Sequence, residues 1–177
     1  MKMQRLTQPV TDADVVSGSL DARVVILQYG DFECPHTRAS NALIKRLSAE
    51  HPGELALVFR HFPLRHIHQN AEQLSRLMKA VAELYRPRYW EAHDAVMSIR
   101  RMSVPAAQEA LTALGLDLPE LERAAPTMAT LVQLDADRGQ ADGVHSTPSF
   151  FFNGEPWDGH YDLSTLRQRF ELAPERG

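Results

Sequence analysis

The sequence predicts an α/β fold in which a mixed four-stranded sheet is built in the order β-α-β and then β-β-α, with a helical block inserted between the two halves. Two apolar segments, residues 24–27 and 55–62, flank one helical segment, and this order gives parallel strands joined by a crossover helix. Near the C-terminus, Asn153-Gly154 separates two further strand segments and is typical of a two-residue hairpin turn. Between these halves, apolar residues recur at helical spacing.

The first half contains two buried strands and the helix that joins them. The β-branched run at 24–27 predicts a central strand that ends at Gly30. Apolar residues then recur at helical spacing over residues 35–50, and a second strand follows at 55–62. Residues 1–22 are polar and irregular, apart from a short strand near residues 15–16.

The helical block and the C-terminal tail follow in order. Apolar spacing and capping residues predict helices at 71–84, 89–97, 103–115, 117–126 and 128–143. The tail returns to strand patterns, with strands at 149–152 and 155–157 and a last helix that Asp162 caps.

The composition is that of one ordinary globular domain, with 177 residues, 44% of them hydrophobic and 24% charged. A net charge of −4 and the lack of a basic stripe argue against nucleic acid or a membrane as a partner. The first residues contain no apolar run of the secretory type, so we expect a cytoplasmic protein. The single cysteine excludes an intrachain disulfide, and the sequence leaves the oligomeric state open.

That cysteine stands where thiols become reactive. Cys34-Pro35-His36-Thr37 lies between a strand and the helix that follows, where a thiol meets the positive end of the helix dipole and free N–H groups. Both features favour the thiolate, as does a cationic partner such as His36. Pro35 suits the first helical turn, and Thr37 offers a hydroxyl or a backbone N–H. We therefore expect Cys34 to be a partly exposed, reactive thiol.

Each of these residues also has a purely structural interpretation. A lone cysteine is usually a small buried hydrophobic residue, Thr37 is an ordinary helix-start residue, and His36 is a solvated turn histidine. Asp31 and Glu33 either orient the loop and tune a proton or are solvated loop carboxylates. The remaining histidines lack the spacing of a metal site, so we expect no metal ligands among His61, His66, His68 and His93.

A second candidate segment lies far downstream. Residues 144–149, Val-His-Ser-Thr-Pro-Ser, immediately precede the predicted hairpin, and a proline there cannot donate to the sheet ladder. A cis bond before Pro148 is one solution, although only about 5–6% of X–Pro bonds are cis. The residues alone therefore leave the geometry of this bond open.

Four sequence blocks carry a family resemblance: in order, ILQYGDFECPHT, VFRHFPLRHIHQNA, YWEAHD and GVHSTPSFFFNG. Together they resemble the DsbA-like branch of the thioredoxin superfamily. They are similar to soluble DsbA-like oxidoreductases and to the thioredoxin-like domain fused to some sodium/proton antiporters. The resemblance spans about residues 22–170. It implies a thioredoxin fold in one domain, 1–177, with a core at about 22–63 and 127–172 and a helical insertion at about 64–126.

The resemblance also assigns roles. It implies that Thr147-Pro148 is a cis-proline loop that packs against Cys34 and, with Pro35, binds the extended backbone of a substrate. It places His68 and His93 in polar core or packing positions. The family usually carries Cys-x-x-Cys, and here Thr37 replaces the second cysteine, so the resolving thiol is absent. The predicted catalytic residues are thus Cys34, His36 and Thr37.

The favoured function is a monothiol thiol-disulfide oxidoreductase that forms a mixed disulfide at Cys34 and needs an external thiol to resolve it. Its partners are protein or small-molecule thiols and disulfides. We expect no resident cofactor, and the one candidate co-substrate is a low-molecular-weight thiol. Two alternatives stay open: a non-catalytic module that binds a peptide or partner in the same groove, and an iron–sulfur protein that borrows a second thiol.

Overall fold

The computed structural model describes residues 3–173, so residues 1–2 and 174–177 at the ends of the predicted domain lie outside the described part. The strands are β1 (Val16–Ser17), β2 (Val24–Gly30), β3 (Leu55–His61), β4 (Ser149–Phe152) and β5 (Glu155–Trp157). The α-helices are α1 (Pro35–Glu50), α2 (Ala71–Leu84), α3 (Tyr89–Met97), α4 (Val104–Ala113), α5 (Leu118–Ala124), α6 (Ala129–Ala141) and α7 (Leu163–Glu171). Two short 3-10 helices occupy Arg86–Arg88 and Ala125–Met128.

The strands form one mixed sheet in the order β1-β3-β2-β4-β5. β2 and β3 pair in parallel, while β4 is antiparallel to both β2 and β5. The predicted fold class is confirmed, and the sheet gains one strand at its edge. That strand, β1, pairs Val16 with Val58 and Ser17 with Leu57. Two residues are too few to show a periodic pattern, so the four-strand count omitted β1.

Helices cover both faces of the sheet. On one face, α1 and α7 bury apolar side chains against β2 and β4, among them Ile44, Leu47, Leu166 and Phe170. On the other face, α6 and the N-terminal segment supply Ala136, Leu6 and Val10. The sheet is therefore the middle of three layers, with one covering layer on each face.

The helical block has a core of its own. Apolar residues of α2 to α5 pack together, and this cluster includes Phe32, which follows β2, and Phe59 of β3. Because Phe32 lies two residues before Cys34, the block holds the loop that carries the cysteine. In the part of the chain that the structure describes, no helix is long and apolar enough to cross a membrane.

The irregular N-terminal segment is fixed by polar contacts to the sheet. The buried Arg60 guanidinium forms two hydrogen bonds with the Asp14 carboxylate, at 2.9 and 3.0 Å, and donates to the carbonyls of Gln8 and Pro9. Tyr29 donates to Asp142 at 2.8 Å on the same face. The segment, expected to be irregular apart from a short strand near residues 15–16, is therefore an ordered cover of the sheet.

Candidate active site

Cys34 occupies the N-cap position of α1, directly after the turn that leaves β2. Its N–H bonds the Asp31 carbonyl at 3.1 Å, and its carbonyl accepts from Arg38 N–H at 3.2 Å. The thiol Sγ donates to the Thr147 carbonyl at 3.3 Å, next to a Thr147–Pro148 bond that is cis. The two predicted segments therefore meet at the sulfur.

The expectation that Cys34 is partly exposed is wrong. Its relative exposure is 4%, and its sulfur is in contact with the carbonyl of the buried Thr147. The Thr147 hydroxyl is also buried and has no hydrogen-bond partner. The Thr147–Pro148 loop therefore limits access to the sulfur.

The other residues of the predicted motif separate into outer and inner positions. Pro35 and His36 are exposed on the first turn of α1, and the His36 ring lies 6.4 Å from that of Tyr161, measured between ring centroids. Thr37 is fully buried, and its hydroxyl accepts a long hydrogen bond from Asp31 N–H at 3.4 Å. The contacts of Thr37 thus fit a helix-start residue that supports the loop.

A close approach beneath the motif explains Gly30 at the end of β2. A Cβ atom on Gly30 would lie 2.3 Å from the Phe59 ring and 2.9 Å from the Thr37 methyl group. The glycines in the hairpin turn and at the helix ends have open space for a Cβ atom, but at Gly30 there is room only for a hydrogen atom. Gly30 therefore allows α1 to begin tightly against β3.

Asp31 is a buried carboxylate that organises the loop. It has no exposed surface, and its Oδ1 accepts from Glu33 N–H at 2.8 Å. Its Oδ2 accepts from Leu64 N–H at 2.9 Å and lies 2.8 Å from His68 Nδ1. Of the two interpretations of Asp31, loop orientation is the one that these contacts support.

Glu33 extends the same attachment. Its carboxylate accepts from the backbone N–H of Asn70 at 2.6 Å and from the Asn70 side-chain amide at 3.0 Å. Asp31 and Glu33 together fasten the loop before Cys34 to the segment 64–70, which leads into α2. The sequence indicated two flanking acids, but it did not indicate this partner segment.

Two buried imidazoles lie behind the loop in an aromatic cluster. The Phe32 ring centroid is 5.6 Å from that of His61 and 5.4 Å from that of His93. Burial, with smaller contributions from the Lys79 and His93 charges, holds the pKa of His61 well below 6.5. Burial also lowers the pKa of His93, although the Asp94 carboxylate partly opposes this shift. Within residues 3–173, no three His, Cys, Asp or Glu side chains come together as metal ligands.

Tyr161 is a site residue that sequence reasoning missed. Its ring packs against His36 and against Phe150 of β4, at 6.4 and 6.2 Å between centroids. Burial and then the negative charge of Cys34 raise the pKa of Tyr161 above its usual 10.0. Tyr161 lies beyond the hairpin, directly before Asp162, which caps α7. Its position next to this capping residue was the only sequence signal that pointed to it.

These contacts define a class of site: one thiol at a helix N-terminus, bonded to the backbone beside a cis-proline. The fold around it is that of a thioredoxin-type domain. A family model described as Thioredoxin matches residues 10–171, and the chain therefore belongs to the thioredoxin family.

Solved structures place the fold among DsbA-like proteins. Oxidised BdbD from Bacillus subtilis has a TM-score of 0.83 and 17% identity, covering 97% of this chain and 98% of that one. The thiol-disulfide exchange protein alpha-DsbA2 from Wolbachia pipientis has a TM-score of 0.76 and 20% identity, covering 91% and 87%. The catalytic domain of Proteus mirabilis ScsC has a TM-score of 0.78 and 15% identity, covering 92% and 89%.

Curated relatives are longer proteins. Na(+)/H(+) antiporter NhaA 1 from Mycolicibacterium vanbaalenii is 29% identical over 178 aligned positions, which cover 98% of this chain and 28% of the relative. NhaA 3 from Salinispora tropica is 30% identical over 158 positions, covering 88% and 24%. The chain thus spans about a quarter of the length of these relatives.

Proposed function

We propose that the protein is a thiol-disulfide oxidoreductase that acts through Cys34 as a single thiol. The observation that carries the proposal is the position of Sγ, at the N-cap of α1 and 3.3 Å from the Thr147 carbonyl beside cis-Pro148. A helix N-terminus favours the thiolate, which is the form that attacks disulfides.

The first step is a two-electron exchange of sulfur partners. The Cys34 thiolate attacks one sulfur of a disulfide, the old S–S bond breaks, and the second sulfur leaves as a thiolate. Cys34 is then held in a mixed disulfide with the substrate. A substrate chain that reaches the sulfur would lie beside the Thr147–Pro148 loop. We therefore assign its backbone contacts to Thr147, Pro148 and the exposed Pro35.

The second step needs a thiol from outside the chain. Thr37 occupies the position at which a second cysteine would attack the mixed disulfide, and a hydroxyl cannot form that S–S bond. An external thiolate attacks the substrate sulfur of the mixed disulfide, forms a new disulfide with it, and releases Cys34 as the thiolate. A low-molecular-weight thiol fits this role, and a reducing compartment such as the cytoplasm supplies it.

The test compares wild type with Thr37→Cys and Cys34→Ser in a peptide-disulfide exchange assay. Wild type should accumulate one mixed disulfide at Cys34, visible by mass spectrometry, and turn over only when an external thiol is added. Thr37→Cys should form an internal disulfide and release its substrate without that thiol, since attack within one molecule gains a high effective concentration. If wild type turns over unaided as well as Thr37→Cys does, the monothiol mechanism is wrong.

One observation favours a second function. Cys34 is buried, with 4% exposure, which disfavours attack on a substrate disulfide, whereas a binding module at the Thr147–Pro148 loop would not need an exposed thiol. A binding module without turnover would leave all three variants equally inactive while folded. A substrate-derived peptide that binds Cys34→Ser as tightly as wild type would then support the module.

A further inference from the structure

A cavity of about 360 Å³ lies between the N-terminal segment, the end of β3, α2 and α6. Cys34, Thr147 and Pro148 do not line it, so it is separate from the thiol site. Its volume is within the range of pockets that bind small molecules, about 300–1,000 Å³. We call it the α2–α6 cavity.

The α2–α6 cavity has apolar surface at its inner and its outer parts. Phe59 and Tyr89, which line it, are buried residues of the helical core. Leu131 and Leu134, which also line it, are 40% and 43% exposed. These two leucines are three residues apart on α6 and therefore lie on the same face of that helix. The apolar part of a ligand would cover side chains that the protein itself leaves in contact with water.

Most of the charged groups around the cavity are already paired. Arg60 is bonded to Asp14, and the Lys79 ammonium lies 2.7 Å from the Asp135 carboxylate. The Arg86 guanidinium donates to the backbone carbonyls of residues 12 and 14, each at 2.6 Å. None of these groups needs a ligand to complete its contacts.

Arg138 is a cation of the cavity lining that keeps its hydrogen-bonding capacity. Its guanidinium is 3.9 Å from Asp135, is 31% exposed, and donates no hydrogen bond within residues 3–173. Asp135 instead accepts from Lys79 and, at 3.0 Å, from the backbone N–H of His61. A guanidinium presents parallel N–H groups that match the two oxygens of a carboxylate.

His61 offers a second polar group at the same cavity. The side chain lines the cavity and is 1% exposed, and its Nδ1 atom is buried without a hydrogen-bond partner. A buried polar atom without a partner costs free energy, which a ligand oxygen in hydrogen-bond contact with it would recover.

The overall charge of the lining favours an anion. Four cations and three carboxylates line the cavity, a net charge of +1 in a protein whose net charge is −4. Glu83 is an exposed carboxylate of this lining on α2 and has no ion pair within residues 3–173. It would repel an anion, so the negative group of a ligand belongs on the α6 side, at Arg138.

We propose that the α2–α6 cavity binds a small hydrophobic carboxylate. The carboxylate pairs with the Arg138 guanidinium, and His61 Nδ1 forms a second polar contact. The apolar body covers Leu131 and Leu134 and reaches Phe59. This site shares no residue with the thiol chemistry proposed above, so either can hold without the other.

The test is isothermal titration calorimetry of the full chain with naphthylacetate, and with naphthylethanol as a neutral analogue of the same shape. The carboxylate should bind at one molecule per chain, and the alcohol about ten-fold more weakly, because it lacks the charge that pairs with Arg138. Arg138→Gln should weaken naphthylacetate binding about five- to ten-fold, as expected for lost hydrogen bonds to a charged group. Arg123→Gln, which alters an exposed arginine of α5 outside the cavity, is the matched control and should bind as wild type does.

Two further variants test the apolar and the repulsive contacts. Leu134→Ala removes exposed apolar surface and should weaken naphthylacetate binding about three-fold. Glu83→Gln removes a like charge and should strengthen it about two-fold, and this gain should decrease at high salt.

Three results would overturn the inference. The first is the absence of saturable naphthylacetate binding to wild type. The second is equal affinity for the carboxylate and the alcohol, which would show that no charge is recognised. The third is unchanged binding in both Arg138→Gln and Leu134→Ala, which would place the ligand outside this cavity. Circular dichroism of each variant confirms that a loss of binding is not a loss of fold.

Discussion

The buried imidazoles of His61 and His93 should make the fold unstable in mild acid. Both side chains are fully buried, and the pKa of each lies below its ordinary value of 6.5. As the pH falls through 6.5, the unfolded chain binds a proton at each residue while the folded chain does not. Their contribution to stability is therefore present above the unfolded pKa and is lost as the pH decreases.

The magnitude follows from the linkage relation. Each imidazole that stays neutral when folded costs about 1.4 kcal/mol of unfolding free energy per pH unit below its unfolded pKa. Between about pH 7.5 and pH 5.5, one such histidine removes about 1.4 kcal/mol, and two remove about 2.7 kcal/mol. Asp94 partly stabilises a charged His93. The loss calculated for two histidines is therefore an upper limit, and His61 contributes the larger share of it.

The assay is urea unfolding, followed by circular dichroism at both pH values. Wild type should lose up to about 2.7 kcal/mol on acidification, and His61→Leu less than half of the wild-type loss, whatever its stability at the higher pH. His66→Leu, which removes an exposed imidazole, is the control and should lose as much as wild type. If His61→Leu shows the full wild-type loss, His61 is not the buried titrating group and the reasoning fails.

Three further predictions concern the groups that hold the site and the sheet. Burial opposes the ionisation of Asp14, but the hydrogen bonds and charge of Arg60 outweigh it and lower the pKa of Asp14 below 3.8. Asp14→Asn should therefore cost about 3 kcal/mol at neutral pH in urea unfolding, and the difference from wild type should shrink as the pH falls below 3.8; a constant difference would refute the ion pair. Asp31→Ala leaves three donors without their acceptor and should cost about 2–4 kcal/mol by the same assay, and an unchanged midpoint would contradict its role in the loop. Gly30→Ala should cost about 1–3 kcal/mol, because its Cβ would overlap the Phe59 ring, and Phe59→Leu should recover part of that loss.

The sequence predicted those parts of the fold that depend on local patterns. Residues 24–27 and 150–152 are continuous apolar runs, and they lie in the paired central strands β2 and β4. Asn153-Gly154 predicted the hairpin, and both residues adopt positive φ, 50° and 84°. These features arise from neighbours in the sequence, so a single sequence contains the information that specifies them.

The parts that the sequence did not predict depend on distant contacts. The burial of Cys34 comes from Thr147, 113 positions away, and the burial of Asp31 from donors 33 and 37 positions away. An acidic residue in a turn is usually solvated, so no local rule identifies Asp31 as buried. Tyr161 was missed for the same reason, because its place beside His36 follows from the hairpin that returns the chain to the site.

The loop before Cys34 has a consequence for the Thr37→Cys comparison. Where a second cysteine is present, an internal disulfide can constrain the turn between strand and helix. In this chain, the hydrogen bonds that the Asp31 and Glu33 carboxylates accept from residues 64–70 fix that turn while the thiol is free. A new thiol at position 37 would therefore enter a turn whose shape is already set. Thr37→Cys removes only one long hydrogen bond from the loop, at 3.4 Å from Asp31 N–H, so a large difference in turnover between the two proteins reports the presence of a resolving thiol.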